Sequence, residues 1–163
     1  EETNQTDQKV QKDQMDVLSP FSCGMEYSFA VTMLANPLAW MELSGLDEES
    51  AAILERVIPI YRRVQADMLS GYVFPLGDQP SGTSWTGFQS IKEDGAGYLI
   101  VFREYNKEAS HTFQLWKMAG RDLALESISG KGEQKEVRVD GQGKAVFRLG
   151  GPFRYALYHY IVK

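Results

Sequence analysis

The chain has 163 residues, 43% apolar and 12% aromatic, which excludes a disordered polymer and allows one domain or slightly more with a real core. A formal net charge of −5 disfavours phosphate backbones and anionic membrane surfaces, so neither nucleic acid nor membrane is expected as a partner. The single cysteine, Cys23, excludes an intrachain disulfide, which suits the cytoplasm and equally a bacterial periplasm.

Residues 1–20 stand apart. Gln5, Gln8, Gln11 and Gln14 recur among charged side chains, and five acids face two bases (Lys9 and Lys12). So polar a stretch buries too little surface to offset its ordering entropy, and a mobile lead-in is expected there. No basic-then-apolar leader opens the chain. The longest uncharged run, 27–41, falls short of the roughly 20 apolar residues of a membrane span, and Asn36-Pro37 interrupts it. A soluble protein is expected.

From Phe21 the character changes. Met25 to Glu42 is apolar nearly all round, as in a buried helix, and two short helices, or one broken near Asn36, are expected because Pro37 removes a backbone donor. A second helix starts at Asp47, which caps the first turn. Ile53, Leu54, Val57, Ile58, Tyr61, Val64 and Met68 then follow a 3.6-residue period. Pro59 should kink this helix, and Gly71 should end it.

Beyond Gly71 the period becomes two. Tyr98–Tyr105 alternates Tyr98, Ile100 and Phe102 against Leu99, Val101 and Arg103, and His111–Met118 sets Phe113 and Leu115 against Thr112, Gln114 and Trp116. Shorter strands are expected at 123–128, 136–139, 145–149 and 155–162, the last apolar on both faces and therefore central. Turns at 93–95, 119–120, 129–130 and 140–141 separate them, and no helical pattern intervenes. The expected fold is α+β: a short helical segment over 21–71, followed over 72–163 by an antiparallel β-sandwich.

The residues offer little catalytic chemistry. His111 and His159 lie on strands without a partner at metal-ligand spacing, so no metal site is expected. Gly82-Thr83-Ser84-Trp85-Thr86-Gly87 has the wrong spacing for a nucleophile elbow and leads into a strand. Gly130-Lys131-Gly132 and Gly141-Gln142-Gly143 read as turns rather than phosphate loops, so no cofactor is expected. Glycoside hydrolysis needs only two carboxylates, but the acids crowd into the tail, the helix start and turns. Glu26, Glu42 and Glu104 alone lie beside apolar runs. Trp40, Trp85 and Trp116 have faces suited to a sugar ring, although a tryptophan in a sandwich is usually core.

Phe29-Ala30-Val31-Thr32-Met33 through Pro37-Leu38-Ala39-Trp40-Met41-Glu42 resembles the last barrel helix of α-galactosidase-like (melibiase-type) glycoside hydrolases. Gly71-Tyr72-Val73-Phe74-Pro75-Leu76-Gly77, leading to Pro80 through Gln89, is similar to the same family. So is Tyr98-Leu99-Ile100-Val101-Phe102-Arg103-Glu104, which resembles the first long strand of the family's C-terminal β-domain. The likeness spans about residues 19–163 and lies in pattern and order. It implies the end of a (β/α)₈ barrel over 21–71 and a non-catalytic sandwich after it. The family's two catalytic aspartates belong to upstream barrel strands and match no position here. The resemblance further implies an upstream catalytic barrel as partner, carbohydrate as ligand, and a place for Ser22–Glu26 near the barrel's carboxyl-end rim. Trp85 and Glu26 are the candidate sugar-contacting residues. An independent carbohydrate-binding or interaction module is the alternative. An apolar patch at Phe29, Met33, Leu34 or Trp40 is expected on the helices, open to a second copy of the chain.

Overall fold

A computed structural model describes residues 20–35, 37 and 45–163. The polar lead-in, Asn36, and the stretch 38–44 with Trp40 and Glu42 lie outside the described residues, as does most of the expected break near Asn36.

Two short helices open the described chain, α1 (Pro20–Cys23) and α2 (Met25–Ala30), separated by Gly24 at a left-handed φ of 85°. The helix from Met25 ends at Ala30, ahead of the break expected near Asn36. Beyond it the amides of Thr32, Met33 and Ala35 bond three residues back, to Phe29, Ala30 and Thr32, which tightens the chain into turns. The Thr32 hydroxyl also donates to the Phe29 carbonyl at 2.8 Å, competing with the helical ladder.

Helix α3 (Glu48–Leu69) begins as its sequence predicts. Asp47 accepts from the Ser50 amide at 2.7 Å, and Glu48 and Glu49 complement the positive end of the dipole. Pro59 leaves the Glu55 carbonyl without its usual donor, yet the helix runs on to Leu69. It can do so because Pro59 sits on the exposed side.

Eight strands follow: β1 (Tyr72–Gly77), β2 (Trp85–Ile91), β3 (Gly97–Arg103), β4 (Ser110–Gln114), β5 (Asp122–Gly130), β6 (Glu136–Arg138), β7 (Lys144–Arg148) and β8 (Arg154–Val162). Six form one antiparallel sheet in the order β1-β2-β3-β8-β5-β6, and β4 pairs with β7 in a second, small sheet. The fold is α+β with a sandwich-like β-module. As the sequence predicts, β8 is central, between β3 and β5.

The central strands are buried on both faces, and their alternation separates two cores. Leu99, Val101, Ala156, Tyr158 and Tyr160 face the small sheet. Tyr98, Ile100, Phe102, Tyr155 and Leu157 face the helices, where they meet Tyr27, Met33, Val57, Tyr61 and Met68. This second core covers three of the four residues expected in an apolar patch on the helices, Trp40 lying outside the described residues. Met33 is fully buried and Phe29 and Leu34 pack against the cluster, because the sheet offers a second apolar face to cover them. Val31 and Ile58 are the large apolar side chains that the described helical residues leave exposed.

Candidate functional site

The two candidate residues separate on folding. Trp85, at the start of β2, is 1% exposed. Its ring stacks on His111 at 6.0 Å, meets Phe113 edge-on, and its indole N–H donates to the Glu108 carbonyl at 3.1 Å. Register explains the burial: Trp85, opposite Arg103, shares the inward parity of Gln89 and Ile91. It therefore fills the sandwich core and presents no face to a sugar, which corrects its reading as a binding platform.

Glu26 lies on α2, half-buried, at the wall of a small cleft of about 210 Å³ between the helices and the β7–β8 connection. Its carboxylate is held from two sides. Arg56 on α3 donates to Oε2 at 2.5 Å, and the Tyr155 hydroxyl on β8 donates to Oε1 at 3.0 Å. With that proton committed, Tyr155 accepts from the Ser129 hydroxyl at 2.7 Å. A bulge between Ser127 and Ser129 of β5 makes this last contact possible: it shifts the register, so Ser129 turns to the helix side while Leu123 and Leu125 face the sandwich. Burial, reinforced by the Glu26 carboxylate, raises the Tyr155 phenol well above its ordinary range and keeps it a donor.

The cleft holds no pair of acids. Among its described lining residues Glu26 is the one carboxylate, with Lys131 and Arg154 nearby. Phe153 also lines it, at a left-handed φ of 49°, which is strained for a bulky side chain. Glycoside hydrolysis needs a second carboxylate facing the first across the bond to be cut, and the cleft does not supply one. Glu26 bonded to Arg56 and Tyr155 is a clasp between layers.

The other chemistry-bearing residues are also engaged. The Glu104 carboxylate accepts from the Ser81 and Ser84 amides at 3.1 and 2.7 Å and so closes the loop before β2. The buried Arg103 guanidinium donates to the carbonyls of Asn106, Lys107 and Leu149. His159 lies against the Tyr98 ring and 3.9 Å from Glu126, and the Cys23 thiol lies 3.3 Å from the Ser28 hydroxyl. Among the described residues no group of three His, Cys, Asp or Glu could hold a metal ion, and no helix is long and apolar enough to cross a membrane.

A second set of ties fastens the far end of α3. The Ser90 hydroxyl donates to the Met68 carbonyl at 2.6 Å, and the Tyr98 hydroxyl and the Lys92 ammonium both reach Asp67, at 2.8 and 3.1 Å. Sequence reasoning missed Arg56 and Tyr155, whose contacts with Glu26 no local signal carries, and Ser129 behind Tyr155. It named Trp116 among the rings suited to a sugar but chose Trp85, although the alternation of 111–118 sets Trp116 on the polar side. No protein-family model matches the chain, and no curated protein matches it.

Proposed function

We propose that the chain is the non-catalytic C-terminal region of a glycoside hydrolase resembling α-galactosidases, its sandwich supporting an upstream catalytic barrel. The observation that carries this reading is the fastening of the helices to the sheet. A free-standing sugar-binding sandwich needs no helical layer. Here the layer shares a core with the central strands and is tied at both ends, through Glu26–Tyr155 and through Asp67–Tyr98. Helices that closed a barrel would gain a rigid base from such ties, and the polar outer side of α3 suits the outer ring of a barrel. The upstream barrel is the partner this reading requires. A second copy is the other partner a helical face could take, and sedimentation over a range of concentrations distinguishes a monomer from a dimer.

The chain by itself should hydrolyse no glycoside. Assayed against aryl α-galactosides, it is expected to give background rates. Turnover abolished by Glu26→Gln or Glu104→Gln would overturn the proposal, because it would place an active site within these residues.

The alternative, an independent carbohydrate-binding module, is favoured by one feature, an exposed aromatic cluster at one end of the sandwich.

A further inference from the structure

At the end of the sandwich where β4 stops there is an opening. The opening lies between the start of β1, the β2–β3 turn and the residues after β4, and forms a cleft of about 530 Å³. That size falls within the roughly 300–1,000 Å³ typical of small-ligand sites. Phe74, Ile91 and Met118 make an apolar floor, and Lys92, Glu93 and Lys117 stand on the rim. Tyr72, 70% exposed, follows the same strand face as Phe74. Trp116, 46% exposed, stands beside the cleft rather than in its lining, and stacks on the lining residue Phe74 with ring centroids 4.9 Å apart.

Trp116 is exposed but not free to move. Gln89, wholly buried, grips its backbone at both groups: the Trp116 amide donates to Oε1 at 2.8 Å, and Nε2 donates to the Trp116 carbonyl at 3.2 Å. Gln89 also donates to the Tyr160 hydroxyl at 3.2 Å, which in turn donates to the Ser90 carbonyl. Burial pushes that phenol up to about 12, so it remains a donor at neutral pH. The indole N–H donates to the Pro75 carbonyl at 3.1 Å. Lys117 then takes a left-handed φ of 57°, unusual for a residue other than glycine. A buried amide, a strained turn and a side-chain bond thus converge on one solvent-facing ring. Such anchoring lowers the ordering cost of binding, and strain of this kind gathers at functional sites.

The chemistry narrows the ligand. Lys92 is paired with Asp67, while Lys117 and Glu93 carry opposite charges, so the rim selects neither anion nor cation. A peptide adding to the β1 edge meets Pro75, which lacks an N–H and whose carbonyl is occupied by the Trp116 indole. What fits aromatic faces beside scattered donors and acceptors is a neutral ring with an apolar face and a hydroxyl periphery.

We propose that a neutral hexopyranose binds across this mouth of the sandwich and the adjoining Trp116 ring, stacked on Trp116 and Tyr72 with its hydroxyls at Lys117 and Glu93. The site belongs to the sandwich alone and does not depend on the glycoside-hydrolase reading. Titrating the ¹⁵N-labelled chain with methyl α-galactopyranoside, and separately with methyl α-glucopyranoside, tests it. At least one sugar should shift the Trp116 indole and the amides of Glu93 and Lys117 saturably, and leave the buried Trp85 indole unmoved. Trp116→Ala should weaken binding about tenfold or more, and Tyr72→Ala several-fold. Tyr72 is so exposed that its variant keeps the fold, so it decides the matter if Trp116→Ala does not. No saturable shift with either sugar, or unchanged affinity in the variants, overturns the proposal. A polypeptide that lacks an upstream barrel and still binds sugar here would remove the hydrolase reading and leave this one standing.

Discussion

Of the two tryptophans among the described residues, Trp85 is buried in the sandwich, whereas Trp116 is exposed, as the alternation around it implies. Trp85 sits in a glycine- and hydroxyl-rich run with no alternation to set its direction, and only the pairing of β2 with β3 turns it inward. Trp85→Ala should therefore cost roughly 3–5 kcal/mol as the truncation of a buried aromatic, measured as a fall in denaturant midpoint. Affinity for sugar should not change in that variant beyond what unfolding explains. Glu26 was legible as an acid beside an apolar run. Its function was not, because Arg56 is 30 positions away and Tyr155 is 129. Tyr155→Phe leaves the Ser129 hydroxyl and one carboxylate oxygen without their partner, and should cost about 1–3 kcal/mol in the same measurement.

Asp67 and Tyr98 give the molecule a pH dependence of known sign. The Tyr98 hydroxyl, then Lys92, hold the Asp67 carboxyl below its ordinary value. Its contribution is thus full above the unfolded aspartate value of about 3.9 and lost as pH falls through the folded one. Because Asp67 is half exposed, solvent screening keeps the effect small. Burial, then Asp67, raise the Tyr98 phenol, so its contribution is full below the unfolded tyrosine value of about 10 and is lost as pH climbs towards the folded one. In Asp67→Asn, melting temperature should fall less steeply between neutral pH and pH 3 than in the parent chain. Equal slopes would show that the pair carries none of the acid sensitivity.

At the scale of elements, what the sequence displayed well was alternation and capping. The period-two runs became β3, β4 and β8, and Asp47 caps α3 where it was expected. What it displayed poorly were elements defined by their neighbours. β1 contains Pro75 and shows no clean alternation, yet it pairs throughout with β2 because an edge strand can dispense with outward-facing amides. The bulge in β5 has no local signature, and it alone decides which face Ser129 joins. Within the described part of 25–42 the helix ends at Ala30, ahead of the break expected near Asn36, for a related reason. An all-round apolar stretch satisfies a buried turn as well as a buried helix, and the turn-forming bonds at Thr32 prevail. Gly97 shows how tightly the strands meet: a Cβ there would collide with the Ser90 carbonyl across the β2–β3 pair. Gly97→Ala should cost roughly 1–3 kcal/mol through overpacking, read from the denaturant midpoint, and a neutral outcome would mean that the pair can slide apart.

The whole molecule is a sheet with two buried faces, one closed by β4 and β7 and the other by helices. The helical cover is fastened to the sheet by polar bonds as well as by packing. If that layer is the end of a barrel, the natural polypeptide contains upstream of Glu1 a repeating β/α pattern of the size a barrel needs, about 250 residues. The most direct measurement is aryl α-galactoside turnover by that natural polypeptide, set beside turnover by residues 1–163 alone. The account predicts hydrolysis by the longer chain, unchanged in kcat by Glu104→Gln, and none by the shorter. Hydrolysis by residues 1–163 alone, or a natural polypeptide with no barrel pattern before Glu1, would contradict it.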